Sequence, residues 1–283
     1  MCGIIAVVRR PSTRATPTSQ SVLDLVAGQA ALLGSGPDAT DAIAAVGTRL
    51  AEADALLRGV PGLRLLLAES SLGPALVHHC GELLAAVEQE EQRLEQDGSL
   101  STTQLEARNQ ALIAVRDGVW AITRDRLRAA EVVSHLSGGA MHTGSLEAFL
   151  SIHQALSAID RLEVRGRDSA GLHVLVHDHA LDLDDPVIAA EIDRRSGDPN
   201  FGTDSVRVVD GVLSIVHKTA AEIGELGDNT AVIRQAFADD ALLHAALANE
   251  TARTLVLGHT RWASIGIISE PNAHPLNLSL IHI

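Results

Sequence analysis

β-type sequence stands at both ends of this chain, and the long stretch between them reads as helix. Cys2-Gly-Ile-Ile-Ala-Val-Val8 is a short β-branched run closed by Arg9-Arg10-Pro11, the pattern of a buried strand. Residues 11–19 are rich in Pro, Ser and Thr and read as a linker. From 20 to 160 the texture is helical: Ile43, Val46, Leu50, Ala53 and Leu57 recur every three or four residues, as one apolar stripe does. Gly59 and Pro61 end that helix. Leu112, Val115, Val119 and Ile122 repeat the pattern in a helix that Thr103 and Glu106 are placed to open as a capping box. The acidic run from Glu88 to Glu95 reads as a solvated helix face. About five helices are expected, the last from Ser145 to Leu162. Short and broken by Gly and Pro, they suit an antiparallel bundle better than a long coiled coil.

After Arg161 the texture changes again. Gly171 to His177 alternates as a strand does, and 178–205, rich in Asp, Pro and Gly, reads as a polar loop. Val206–Val209 and Val212–Val216 flank Asp210-Gly211, the dipeptide of a type I′ hairpin. Residues 218–249 return to helix, and Thr254–Leu257 is a strand leading into Gly258-His-Thr-Arg-Trp-Ala-Ser264. No internal repeat is visible. The expectation is α+β, with sheet contributed from both ends, and the length of 283 residues suits about two domains.

Composition narrows the function. With 46% hydrophobic and 20% charged residues the chain is ordinary globular material. Aromatics are 2% and Tyr is absent, so the core must come from Ala, Leu, Val and Ile, and base-stacking platforms are excluded. Twenty-two basic against 36 acidic residues give a net charge of −14 with no basic cluster, which argues against nucleic acid. Two cysteines cannot make a disulfide framework and fit a reducing compartment. No apolar window reaches the roughly 18 residues of a membrane span. A cytoplasmic protein with no membrane partner is expected.

Cys2 is the most informative position. If the initiator Met is removed, Cys2 carries a free α-amine, with a reference pKa near 8, beside a thiol with one near 8.5. Such an amine can take the thiol proton, directly or through water, so that one residue holds nucleophile and base. Gly3 then lets the backbone approach a substrate. On position alone, the plainer reading is a small apolar residue opening a buried strand. Three further segments reverse that preference: Arg165-Gly-Arg-Asp-Ser-Ala-Gly171, Gly258-His-Thr-Arg-Trp-Ala-Ser264 and Asn272-Ala-His-Pro275.

Together with Met-Cys-Gly-Ile-Ile these segments resemble, in order, the glutaminase domain of the glucosamine-6-phosphate synthases. That family belongs to the class II glutamine amidotransferases, which are N-terminal-nucleophile hydrolases. The resemblance covers roughly the first eight residues and 158–275. The amidophosphoribosyltransferase branch fits less well, since it has Gln-Glu where this chain has Arg167-Asp168 and Val-Arg-Tyr where it has Thr-Arg-Trp.

The resemblance implies a partial N-terminal-nucleophile αββα sandwich with a large inserted helical bundle. Residues 1–10 and 161–277 would form the amidotransferase domain, incomplete at its C-terminal end, 20–160 the inserted block, and 278–283 a non-native tail. It implies glutamine as substrate and no cofactor or metal. Cys2 would attack the glutamine amide, and Arg261 would hold the glutamine α-carboxylate with its planar fork. Trp262 would gate ammonia, while Ser264 and His274 would line the glutamine site. Gly3, Arg165 and Asp168 would support the catalytic strand. Ammonia would pass to fructose-6-phosphate on sugar-isomerase domains outside this chain; a homo-oligomer is left open.

Departures are several: Arg167 stands where the family has Tyr, Ser264 where Thr is usual, and Ile265 where His is common. The family's later Asn-Gly oxyanion pair follows the point where this chain ends. The chain as given is therefore expected to hydrolyse glutamine poorly, since one oxyanion donor is worth about 3–4 kcal/mol. Two alternatives stay open: another class II amidotransferase with a different ammonia acceptor, or a non-catalytic helical interaction module on a decayed glutaminase scaffold. Elsewhere, His78, His79 and Cys80 are neighbours on a helix and should point apart, which argues against a shared metal. His173, His177 and His179 read as surface histidines, and Ser137-Gly-Gly as a turn between helices.

Overall fold

The computed structural model describes residues 2–34, 39–96, 99–198, 200–220, 225–262 and 267–276. The chain divides into two compact units, one of Ser12–Glu131 and one of Met1–Pro11 with Val132–Ile283. The fold is mixed α+β. Among the described residues, no helix is long and apolar enough to cross a membrane.

The helical unit holds α1 (Ser19–Val26), α2 (Ala39–Leu57), α3 (Gly59–Ala68), α4 (Leu72–Gln96) and α5 (Thr102–Trp120). A π-helical turn, Ala121–Leu127, joins α5 to α6 (Arg128–Leu136), which runs across the boundary between the units. The expected stripe of α2 is buried throughout, from Ile43 to Leu57, as are Leu112, Val115, Val119 and Ile122. The core cluster of this unit contains Val, Leu, Ile, Ala and Cys80 and no aromatic side chain, whereas the sheet unit, against the expectation from composition, buries Phe149 and Phe237. Gly59, at φ +69°, follows the end of α2, while Pro61 sits in the first turn of α3, where its missing N–H costs nothing.

Two expectations change in this unit. The capping box of α5 is Ser101 with Gln104 rather than Thr103 with Glu106, because the same spacing two residues earlier supplies both reciprocal bonds. The acidic face of α4 is not wholly solvated: Glu90 is buried and paired with Arg93 and Arg108. Asp54 is buried likewise, between Arg58 and Arg126. A buried carboxylate is tolerated only with such partners.

The second unit is built on a five-stranded antiparallel sheet in the order β1-β5-β2-β4-β3. Its strands are β1 (Gly3–Val8), β2 (Ser169–His177), β3 (Ser205–Val209), β4 (Val212–Thr219) and β5 (Arg253–Arg261). Helices α7 (Thr143–Leu162) and α9 (Asp228–Asp239) pack on one face of it. That inner face presents Leu172, Val174, Val176, Leu213, Ile215 and Val256, all fully buried, against Ile152, Leu156, Ile159, Ile233 and Phe237. Gly258 permits a close approach on this face: a Cβ there would lie 2.6 Å from Ile5 and 2.8 Å from Ile159.

The helix from Thr143 to Leu162 therefore belongs with the sheet, so the boundary falls at 131/132 rather than at 160. Its apolar stripe was legible, but a stripe does not say which layer it meets. The 178–205 segment is not all loop, for it contains α8 (Pro186–Ser196), capped by the Asp185 carboxylate with Pro186 in the first turn. The region 218–249 begins as strand, through Thr219, before α9 and α10 (Ala241–Ala246). The hairpin is as expected, with Asp210 at φ 51° and Gly211 at φ 75°, the signs of a type I′ turn. Ser137-Gly138-Gly139 joins α6 to α7, both glycines at positive φ.

Candidate functional site

Strand alternation sorts the sheet into two faces. Gly3 pairs with Thr260 and Ile5 with Gly258, toward α7, so Ile4, Ala6 and Val8 face the other way, as do Leu257, His259 and Arg261. Continuing that register by one residue sets Cys2 alongside Arg261. Ser169 pairs with Arg261 from the other side, and the Asp168 amide donates to the Arg261 carbonyl at 3.1 Å. Three segments far apart in sequence thus meet at one end of the outer face.

The fourth segment lies across them. Arg261 donates through Nη1 to the Asn272 carbonyl at 3.0 Å. The His274 ring packs on His259 at a tilt of 42°, with centroids 4.3 Å apart, and His274 also precedes a cis Pro275. Gly171, on β2, is what lets this segment lie flat, for a Cβ there would sit 1.9 Å from the His274 carbonyl oxygen. Cys2 is exposed and its thiol is free. Gly3 is buried, its amide donating to Thr260 Oγ1 at 3.2 Å, and a Cβ would meet Leu162 at 2.9 Å. Trp262 is half exposed. Arg165 ends the short 3-10 turn Glu163–Arg165 that leads from α7 toward β2. Ser264 lies outside the described residues.

Lys218, which the sequence reading passed over, holds the site from below. It is almost fully buried on the outer face of β4, and its ammonium donates to the carbonyls of Ala273 at 3.2 Å and of Pro275 and Asn200 at 3.4 Å. Glu270 reaches across to the Thr203 amide at 2.6 Å, so 198–204 and 267–276 are tied together over β2 and β4. Burial pulls the Lys218 pKa down, against the charges of Glu270 and Asp198. The available signal is that Lys218 continues the alternation after Val216-His217, although the residues that follow it have helical texture.

His259 is the other omission, although it lies inside the Gly-His-Thr-Arg-Trp segment. Burial first, then the charges of His274 and Arg261, push its pKa down to about 4. His274 is lowered by burial, Arg261 and Lys218. Both imidazoles are therefore neutral at pH 7. The buried Nδ1 of His259 has no hydrogen-bond partner among the described residues, and so is available to a substrate or a water.

The two halves of the outer face differ. Over β2, β4 and β3 it is covered: Phe201 packs edge-on to His173, and Arg207 stacks over Phe201. Burial pushes His173 down to about 4 as well. It is thus not the surface histidine expected. Over β1 and β5 the face is open, with Ile4 76% and Val8 71% exposed and Leu257 partly so.

A second cluster sits on the inner side, remote from these motifs. Arg195 forks onto Asp240 (2.9 and 2.7 Å), His217 Nε2 lies 3.0 Å from the same carboxylate, and the Leu243 amide donates to it at 3.0 Å. Burial acts to raise the Asp240 pKa, but the bonds from Arg195 and His217 outweigh it and hold the group well below the usual carboxylate range. Asp204, His217 and Asp240 have the donor types of a metal site. The guanidinium of Arg195 already supplies the cation there, so the cluster is a structural clamp joining α8, β4 and α10.

At the opposite end of the sheet, an open cleft of about 550 Å³ is lined by Thr143, Glu147, Asp178, Glu250 and Arg253, and it touches none of the motif residues. Compared with family models, with curated proteins and with solved structures, the chain matches none.

Proposed function

We propose that the sheet unit is the glutamine-hydrolysing half of a class II amidotransferase of the glucosamine-6-phosphate synthase type, with an N-terminal-nucleophile fold. One observation carries the reading: the four segments that resemble that family in order also converge in space, around Arg261. Cys2, Ser169, Arg261, Asn272 and His274 come from segments far apart in the unit, yet meet at one end of one face of the sheet. The open apolar strip of Ile4, Val8 and Leu257 supports it too, since an αββα sandwich lays a second sheet on that face.

In this reading the α-amine of a processed Cys2 takes the thiol proton, and the sulfur adds to the glutamine carboxamide carbon. Collapse of the tetrahedral intermediate breaks the C–N bond. The proton passes from the ammonium to the leaving nitrogen, giving ammonia and a glutamyl thioester. Water then adds to the thioester, releasing glutamate and restoring the thiol. Arg261, extended from β5 and steadied by the Asn272 carbonyl, pairs with the glutamine α-carboxylate. Neutral His259 and His274 line the pocket without repelling the substrate ammonium. Ammonia is delivered to fructose-6-phosphate.

The test is active-site labelling with a glutamine-like diazo-ketone, read by intact and peptide mass spectrometry. One adduct per chain, on a Cys2 that is the mature N-terminus, is expected, with protection by L-glutamine and strong loss in Arg261→Ala. Retained Met1, or labelling that glutamine does not slow, refutes the proposal.

A further inference from the structure

The helical unit carries a second group of ligating side chains, independent of the glutaminase reading. The buried side of α4 is the stripe Leu72, Leu76, Cys80, Leu83, Val87 and Glu90. Cys80 is thus turned into the core, and burial pushes its thiol up to about 11, so it is not a partner for the neighbouring histidines. Glu82 takes that place. His79 Nδ1 lies 2.9 Å from one carboxylate oxygen of Glu82, and His78 Nε2 lies 3.5 Å from the other. The imidazoles do not diverge as consecutive helix positions suggested: their centroids are 5.2 Å apart, and one ligand atom from each of the three residues falls within 4.8 Å of the others.

We infer that His78, His79 and Glu82 form a binding site for a divalent transition metal, with Zn²⁺ as the best match. Two imidazole nitrogens and a carboxylate oxygen are the ligand types this ion takes, at about 2.0–2.2 Å. Ligand atoms around a tetrahedral ion of that size are about 3.4 Å apart. Each histidine is already near this distance from one of the two Glu82 oxygens, and side-chain rotation brings the two imidazole nitrogens together. Among the described residues Glu82 pairs with no Arg or Lys, so no built-in cation competes, unlike Asp240 with Arg195. The Glu82 carboxylate is aimed at both histidines, one oxygen toward each. All three side chains open to solvent, which leaves the remaining coordination position to water. The stripe beneath holds the helix backbone fixed, so the ion binds to a prearranged turn.

Isothermal titration of the purified chain with ZnCl₂ tests the site. One equivalent should bind with micromolar affinity, and His78→Ala, His79→Ala and Glu82→Gln should each weaken it roughly tenfold or more, the scale seen for weaker outer-shell losses. His177→Ala, an exposed histidine elsewhere, should leave it unchanged. The variants lie on a solvent face and are checked for intact helix content by circular dichroism. Bound Zn²⁺ should also raise the melting temperature of the wild type and not that of His78→Ala/His79→Ala. No saturable binding in the wild type, or equal binding in the double variant, overturns the inference.

Discussion

A single methyl group added at Gly171 probes how the Asn-Ala-His-Pro segment is seated. No positive φ is required of Gly171, so its backbone accepts alanine. In the absence of a clash the substitution should stabilise the fold by about 0.4–1 kcal/mol, through the loss of unfolded-chain entropy. The added Cβ, however, falls 1.9 Å from the His274 carbonyl oxygen and 2.9 Å from the Lys218 Cβ, where ordinary contact starts near 3.4 Å. Something must move by about 1.5 Å. Strand β2 is hydrogen-bonded on both sides, Gly171 facing Lys218 in β4 and His259 in β5, so it is the 271–275 segment that gives way. Lifting it parts Lys218 from Ala273 and Pro275 and Arg261 from Asn272. A hydrogen bond to a charged group contributes about 1.5–3 kcal/mol, but water replaces the exposed Arg261 bond and the 3.4 Å bond is long. A net loss of about 2–4 kcal/mol follows, enough to change the sign of the substitution. Urea unfolding followed by far-ultraviolet circular dichroism measures it. Gly81→Ala, on the open face of α4 with nothing within 4 Å, is the control that should gain stability. A Gly171→Ala protein as stable as the wild type would refute the packing argument.

The clamp at Asp240 and the two cysteines give the remaining expectations. Asp240→Asn removes one of the carboxylates on buried Arg195, Asp204 remaining at 2.9 Å, and should cost about 1.5–3 kcal/mol in urea unfolding. Because the folded Asp240 pKa is depressed, its contribution is full above the unfolded value, about 3.9, and fades as pH falls below it. The variant's stability should therefore fall less steeply between pH 5 and 3, roughly the range in which that linkage acts. Iodoacetamide should modify Cys2 in the native protein and spare Cys80 until urea is added, as peptide mapping will show; Cys80 reacting at the same rate as Cys2 contradicts its burial.

What the sequence disclosed is local, and what it hid is tertiary. The stripe from Ile43 to Leu57 and the Asp210-Gly211 turn follow from backbone periodicity and φ preference, which need no partner. Helix α8 was hidden by its own composition, although Asp185-Pro186 is a good opening pair. Strand β5 runs on through His259 to Arg261, because neighbours on both sides extend the ladder past the apolar run. At the candidate site, the residue types and their order were legible in Cys2, Arg261 and His274. Lys218 and His259 were not, since a buried lysine reads like an exposed one until the carbonyls that surround it are known. The Arg195–Asp240 pair likewise joins residues whose neighbours carry no hint of each other.

The pairing of β1 with β5 has a consequence for how the molecule comes into being. Gly3 meets Thr260, a contact spanning 257 residues, and among the described residues β1 has no other strand beside it. Such a closure carries a high entropic cost and forms slowly, whereas the turn-by-turn contacts of the helical unit form early. On the ribosome β1 must wait unpaired until β5 has been made. In the proposed glutaminase, Cys2 is thus made long before the strand that brings Arg261 beside it, so a chain lacking β5 has no such pocket.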